Sequence, residues 1–172
     1  NSIPYKVYGG MKFYDRQEIK DAIAYLKLIY NPNDSQSFKR IVNVPKRAIG
    51  ETSITNLQKF ADKNDISLME AIEIIEESDL NSKTQTKLKD FKALIDKFRE
   101  ASTNYELAEF LGLVLEHTGY IRMLQAENTP EDEARIENLQ ELVNVASEFE
   151  PEEPDNILGE FLSQVALVSD ID

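Results

Sequence analysis

Apolar residues along this chain recur every three or four positions, the repeat that lines one face of an α-helix. Ile19, Ile23, Leu26 and Tyr30 form one such stripe, and Leu88, Phe91, Ile95 and Phe98 form another. Leu107, Phe110, Leu111 and Val114 make a third, and Ile136, Leu139, Leu142, Val143 and Ala146 a fourth. Punctuation between the stripes places the elements. Asp15-Arg-Gln-Glu18 has the capping-box spacing and opens a helix to Tyr30, which Asn31-Pro-Asn-Asp34 ends. Asp34 caps a short helix over 35–42, closed by Pro45, and another runs from Gly50–Thr52 to about Lys63. Ser67-Leu-Met-Glu70 caps the next, to roughly Glu77. Ser82-Lys-Thr-Gln85 begins a long helix, Thr103-Asn-Tyr-Glu106 begins one that stops at Gly119, and a short helix follows over 120–126. Thr129-Pro130-Glu131 supplies an N-cap, a proline at the first helical position and an acidic first turn. Glu150-Pro-Glu-Glu-Pro154 reads as a linker, and Asp155 opens a last helix through Val168.

The one strand candidate is 3–8, where Tyr5 and Val7 alternate against Lys6 and Tyr8 before Gly9-Gly10. The expectation is an all-α fold: a single multi-helix domain with one short strand at its N-terminal entrance. With 172 residues, 41% of them hydrophobic, the chain is long enough to bury one core. No window approaches 18 uninterrupted apolar residues, so no membrane span is expected. The first residues lack a signal-peptide layout and begin mid-pattern, as a fragment would. The absence of cysteine removes disulfides, thiolate nucleophiles and cysteine–zinc sites, and fits a reducing cytoplasm.

Charge changes the picture. The formal net charge is −13, yet the first 60 residues carry 10 Lys/Arg against 5 Asp/Glu. The other 112 carry 9 against 27. Local charge at a docking face matters more than the total, because exposed charges beyond about 8–10 Å are screened at physiological salt. On the helix from Arg16, Arg16, Lys20 and Lys27 fall within about 40° of one another and form a cationic ridge beside the apolar stripe. Such a ridge suits a run of phosphates; the alternative is a solvated face softened by Glu18 and Asp21.

Val44-Pro-Lys-Arg-Ala-Ile-Gly-Glu-Thr-Ser53 is the second candidate. The N–H groups at a helix start are unpaired and favour anions. Gly50 would admit a phosphate to the backbone, Thr52 and Ser53 offer hydroxyls, and Lys46 and Arg47 add charge. The alternative is an ordinary helix–turn–helix corner. No Gly-x-x-x-x-Gly-Lys-Ser/Thr loop is present. His117, the single histidine, stands near the C-cap glycine Gly119 and reads as structural. Glu73, Glu76, Glu77 and Glu131-Asp-Glu133 read as solvated helix surface. No catalytic set and no metal site emerges.

Ile3-Pro-Tyr-x-Val-x-Gly-Gly-x-Lys-Phe-Tyr-Asp-Arg-x-Glu-Ile-Lys-Asp, Ala24-Tyr-Leu-Lys-Leu-Ile29, Asn31-Pro-Asn-Asp34 and Arg40-Ile-Val-Asn-Val-Pro-Lys-Arg-Ala-Ile-Gly50 together resemble the UvrD/PcrA/Rep group of superfamily 1 DNA helicases, the PcrA type in particular. Arg135-Ile-Glu-Asn-Leu139 and the ending Phe161-Leu-Ser-Gln-Val-Ala-Leu-Val-Ser-Asp-Ile-Asp172 agree with it.

The resemblance implies a 2B subdomain over 9–172, with 1–8 as a hinge strand from the 2A subdomain. It implies a whole enzyme that unwinds duplex DNA 3′→5′ in repair and replication, using ATP and Mg²⁺, and a fragment with no catalytic activity or cofactor of its own. Implied partners are double-stranded DNA, single/double-strand junctions, the 1A, 1B and 2A subdomains and accessory proteins. By resemblance Lys12 matches a basic position near the single strand, and Lys20 and Lys27 match positions against duplex phosphates. Ala48-Ile49-Gly50, with Thr52 and Ser53, matches a Gly-Ile-Gly element that grips the duplex backbone. Ala48 stands where that element has its first glycine, and Glu51 lies beside the expected phosphate. The competing expectation is a docking or autoinhibitory module, resting on the acidic residues from 61 onward.

Overall fold

Helix follows helix through residues 11–171, which the computed structural model describes, and no strand occurs among them. The elements are α1 (Met11–Tyr14), α2 (Gln17–Tyr30), α3 (Ser35–Ile41), α4 (Glu51–Asn64), α5 (Leu68–Glu73), α6 (Ser82–Ala101), α7 (Leu107–His117), α8 (Tyr120–Glu127), α9 (Pro130–Glu148) and α10 (Ile157–Ile171). Short 3₁₀ turns cover Ile75–Glu77 and Pro154–Asn156. The all-α expectation holds. The strand over 3–8 and the boundary between 8 and 9 lie outside the described residues.

Side-chain caps mark four of the helix starts. The Asp34 side chain accepts from the Ser37 N–H at the start of α3. Ser67 and Glu70 form a reciprocal capping box on α5. Thr129 accepts from the Asp132 N–H ahead of Pro130 on α9. Each satisfies a helix-start N–H group that has no carbonyl partner within its own helix. Several boundaries differ from the sequence expectation: α10 runs Ile157–Ile171 rather than from Asp155 to Val168, and α5 ends at Glu73, short of Glu77. Asn81, one residue earlier than Ser82, caps α6 through the Thr84 N–H. α7 begins at Leu107 rather than near Thr103. α2 begins at Gln17, with Arg16 at the N-cap and no side-chain cap, so Asp15 and Glu18 form no capping box.

That last difference follows from packing. α2 sits at the centre and packs against α3, α6, α7, α9 and α10. Covered on most sides, it buries Glu18 and Asp21 along with Ile19, Ala22 to Leu26, Leu28 and Ile29. A helix walled in this way need not keep a single apolar stripe. Phe38 on α3 and Phe91 on α6 meet edge-to-face across its flank, with ring centroids 5.4 Å apart.

Candidate nucleic-acid interface

Within residues 18–29 of α2, Lys20 and Lys27 are the two exposed positions; every other residue there is buried. They lie seven residues apart, about 10 Å along the axis. Both line one cleft, shared with Tyr14, Arg40 and the α10 residues Val165 and Ser169. Lys20 approaches Asp15 at 3.9 Å, with both side chains about half exposed, an ion pair of little energetic weight. Lys27 has no ion-pair partner among the described residues. Arg16, at the α2 N-cap, and Lys12, on α1, are exposed.

Glu18 and Asp21 do not soften this ridge, contrary to the solvated-face alternative, because they point into the molecule. Asp21 is 2% exposed. It accepts from Arg40 Nε at 2.8 Å and from the Tyr120 hydroxyl at 2.6 Å. Glu18 accepts from Asn138 Nδ2 at 2.8 Å, with Arg135 Nε at 3.9 Å. The two carboxylates therefore tie α2 to α3, α8 and α9, and their charge is balanced by arginines from other helices. Burial raises the Tyr120 phenol well above its ordinary range, and the hydrogen bond to Asp21 raises it further.

The loop from α3 to α4 is built from its own side chains. Asn43 Oδ1 accepts from the Arg47 N–H at 2.7 Å and the Ile49 N–H at 3.1 Å. Arg47 Nη1 donates to the carbonyls of Ile41 and Val42 at 2.9 and 3.0 Å, which ends α3. Its Nη2 donates to Tyr25 Oη at 2.6 Å, and the guanidinium lies 5.0 Å from the Phe91 ring centroid. Tyr25 in turn donates to the Val44 carbonyl at 2.6 Å. Ile49 is 2% exposed and pins the loop to the core. The expectation that Arg47 faces a phosphate is therefore corrected: its guanidinium turns inward to hold the loop.

What the loop presents is Lys46, Gly50, Glu51 and Thr52, all exposed, with Ser53 half-buried. Lys46 borders a different cleft from Lys20 and Lys27, one lined also by Gln17, Pro45, Tyr120 and Glu127. The fold thus groups Lys20 with Lys27, and Lys46 with the loop, without merging them. Gly50 is the α4 N-cap at φ −82°, an angle any residue adopts, and a Cβ there would meet nothing within 4 Å. The fold has no need of glycine at this position. Ala48, by contrast, has φ +61°, the left-handed region that disfavours a side chain. Lys87 of α6 was not singled out by the sequence, yet its Nζ donates to the Ala48 carbonyl at 3.2 Å. A separation of 39 residues leaves no local signal for that contact.

Residues 1–172, the entire chain, match the family described as the UvrD-like helicase C-terminal domain. The chain belongs to that family. It is 40% identical over 178 residues to the ATP-dependent DNA helicase PcrA of Leuconostoc citreum, covering 99% of this chain and 24% of that protein. It is 39% identical to PcrA of Bacillus subtilis, covering 98% and 23%, and 38% identical to PcrA of Staphylococcus aureus strain Mu50, covering 100% and 24%. The chain thus spans about a quarter of the length of these curated relatives.

In this UvrD-like domain three of the other carboxylates singled out from the sequence are paired. Glu73 and Glu76 pair at the surface with Lys92 and Lys89. Asp132, expected on the surface, is 4% exposed and its carboxylate accepts from Arg135 Nη1 at 3.2 Å and from the Thr129 hydroxyl at 2.8 Å. No group of three or more His, Asp or Glu among the described residues is placed to hold a metal ion. No Gly-x-x-x-x-Gly-Lys-Ser/Thr loop occurs in the sequence. No described helix is long and apolar enough to cross a membrane.

Proposed function

We propose that this domain is the duplex-binding, regulatory 2B subdomain of a PcrA-type helicase, with 1–8 as its hinge to the 2A subdomain. The whole protein then unwinds DNA 3′→5′ in repair and replication. It uses ATP and Mg²⁺ bound by its other subdomains, 1A, 1B and 2A. The subdomain itself does no chemistry. It lies along double-stranded DNA, near the junction with single strand, and contacts phosphates rather than bases, so its binding is independent of sequence.

One observation carries the reading: the only exposed positions along the middle of the most buried helix are two lysines, set on a rigid support. Cations tracking a polyanion neutralise phosphates and release their condensed counterions. Lys46, Gly50, Thr52 and Ser53 supply a second contact to the same backbone, with Lys12 and Arg16 toward the junction. Binding by the isolated chain is expected in the range of about 10⁻⁴ to 10⁻⁶ M at physiological salt. The test is a salt titration of duplex binding by Lys20→Ala/Lys27→Ala. Loss of two phosphate contacts lowers the slope of log K against log salt by about 1.8. An unchanged slope removes the ridge from the interface.

A second reading, docking of an accessory protein, is favoured by a single feature: a cleft at the far end of α2 that is acidic rather than basic.

A further inference from the structure

The cleft between the C-terminal end of α2 and α10, about 740 Å³ in volume, is lined by Tyr30, Phe149, Glu150, Glu152, Glu160 and Leu167. Three large apolar side chains are exposed among the described residues, and two of them, Tyr30 (50%) and Leu167 (58%), stand on this cleft. Single exposed apolar residues are ordinary, but two beside the partly buried Phe149 and the buried Leu162 make a connected patch.

The cleft is also built in advance. A Cβ at Gly159 would come within 2.7 Å of the Tyr30 hydroxyl and 2.5 Å of Asn156 Oδ1, so glycine there lets Tyr30 lie close against the start of α10. Glu160 accepts the Glu152 and Glu153 N–H groups at 2.7 and 2.9 Å and fixes the opposite rim.

Charge selects the occupant. Asp34, Glu150, Glu152 and Glu160 line the cleft against one cation, Lys27. None of the four carboxylates is in an ion pair among the described residues. A phosphate backbone is repelled from such a surface. A Lys/Arg-rich segment carrying apolar side chains is attracted, through steering by the carboxylates and burial of Tyr30 and Leu167.

We propose that this cleft is a docking site for a basic, apolar-studded peptide segment of a partner protein. The proposal rests on the docking reading and deepens it; its cleft meets the ridge at one residue, Lys27.

The probe is a fluorescein-labelled peptide in which Lys-Arg pairs alternate with leucines, titrated into the chain by anisotropy and followed by amide shifts in the ¹⁵N-labelled chain. Saturable binding is expected, with shifts centred on Tyr30, Gly159 and Leu167. Glu150→Lys/Glu152→Lys and, at unchanged charge, Leu167→Gln each weaken it about tenfold. Glu109→Lys/Glu116→Lys alters net charge equally on exposed α7 positions and changes affinity less than about twofold if the site is local. Lys20 lies outside the cleft lining, so Lys20→Ala weakens duplex binding alone. Equal weakening by the α7 control, a failure to saturate, or duplex DNA shifting the amides of Gly159 and Leu167, away from Lys27, would overturn the proposal.

Discussion

Tyr25 and Arg47 are locked together: Arg47 Nη2 donates to the phenol oxygen at 2.6 Å while that phenol donates to the Val44 carbonyl at 2.6 Å. A core helix is thereby bonded to a surface loop through a side chain that sequence charge alone assigns to DNA. Arg47→Ala removes donors from three acceptors and is expected to cost about 2–3 kcal/mol in urea unfolding. Arg47→Lys restores the charge but not the planar fork, so it recovers less than half of the loss. Full recovery by lysine would mean that charge, rather than fork geometry, holds the loop.

Ala48 and Gly50 respond in opposite senses to exchange of a methyl group. Ala48→Gly relieves the left-handed backbone at φ +61°, offset partly by added unfolded-state entropy, for a net gain of about 0.5 kcal/mol. Gly50→Ala meets no neighbour, and the poorer N-cap offsets the entropic gain, so stability stays within about 0.5 kcal/mol. On the proposed phosphate contact at this loop, duplex affinity is nevertheless expected to fall, because the methyl would stand between the phosphate and the backbone. Unaltered duplex binding by Gly50→Ala takes this loop out of the DNA contact.

Asp21 holds Arg40 and Tyr120 at once, from a position 2% exposed. Asp21→Ala leaves a half-exposed guanidinium and a buried hydroxyl without their acceptor. Thermal or urea unfolding should register a loss of about 3 kcal/mol. A loss under about 1 kcal/mol, the scale of a surface pair, would mean the network is solvated.

Alkaline pH provides an independent readout of burial. The phenols of Tyr14, Tyr25 and Tyr120 are all raised, in each case chiefly by burial. Near pH 10 the unfolded chain begins to release these protons while the folded chain keeps them. The folded state then binds more protons, so stability is fully present below about pH 10 and falls above it. The expected slope is up to about 1.4 kcal/mol per pH unit for each such tyrosine, read from urea midpoints. Tyr120→Phe should flatten it.

Local signals carried much of the fold. Ser67 with Glu70, Asp34 and Thr129-Pro130 work through atoms two or three residues away, so the caps read from the sequence recur in the structure. The spacing of Leu88, Phe91, Ile95 and Phe98 likewise names four residues that α6 buries. Asp15-Arg-Gln-Glu18 shows where such reading fails. Its pattern is a capping box, but Glu18 gains more from Asn138 and Arg135 on α9, some 120 residues away, than from its own helix start.

By itself, then, the sequence determined an all-α chain, its caps at Asp34, Ser67 and Thr129, the contrast in charge between its first 60 residues and the rest, and its membership of a helicase family, because each depends on residue type and near spacing. Which cations face outward was decided only in three dimensions. Lys20 and Lys27 stay exposed because α2 is walled in on its other sides, while Arg47 is drawn inward by unpaired carbonyls and a phenol that only chain crossing brings within reach. A charged side chain goes where its hydrogen bonds can be satisfied, and tertiary packing supplies those partners.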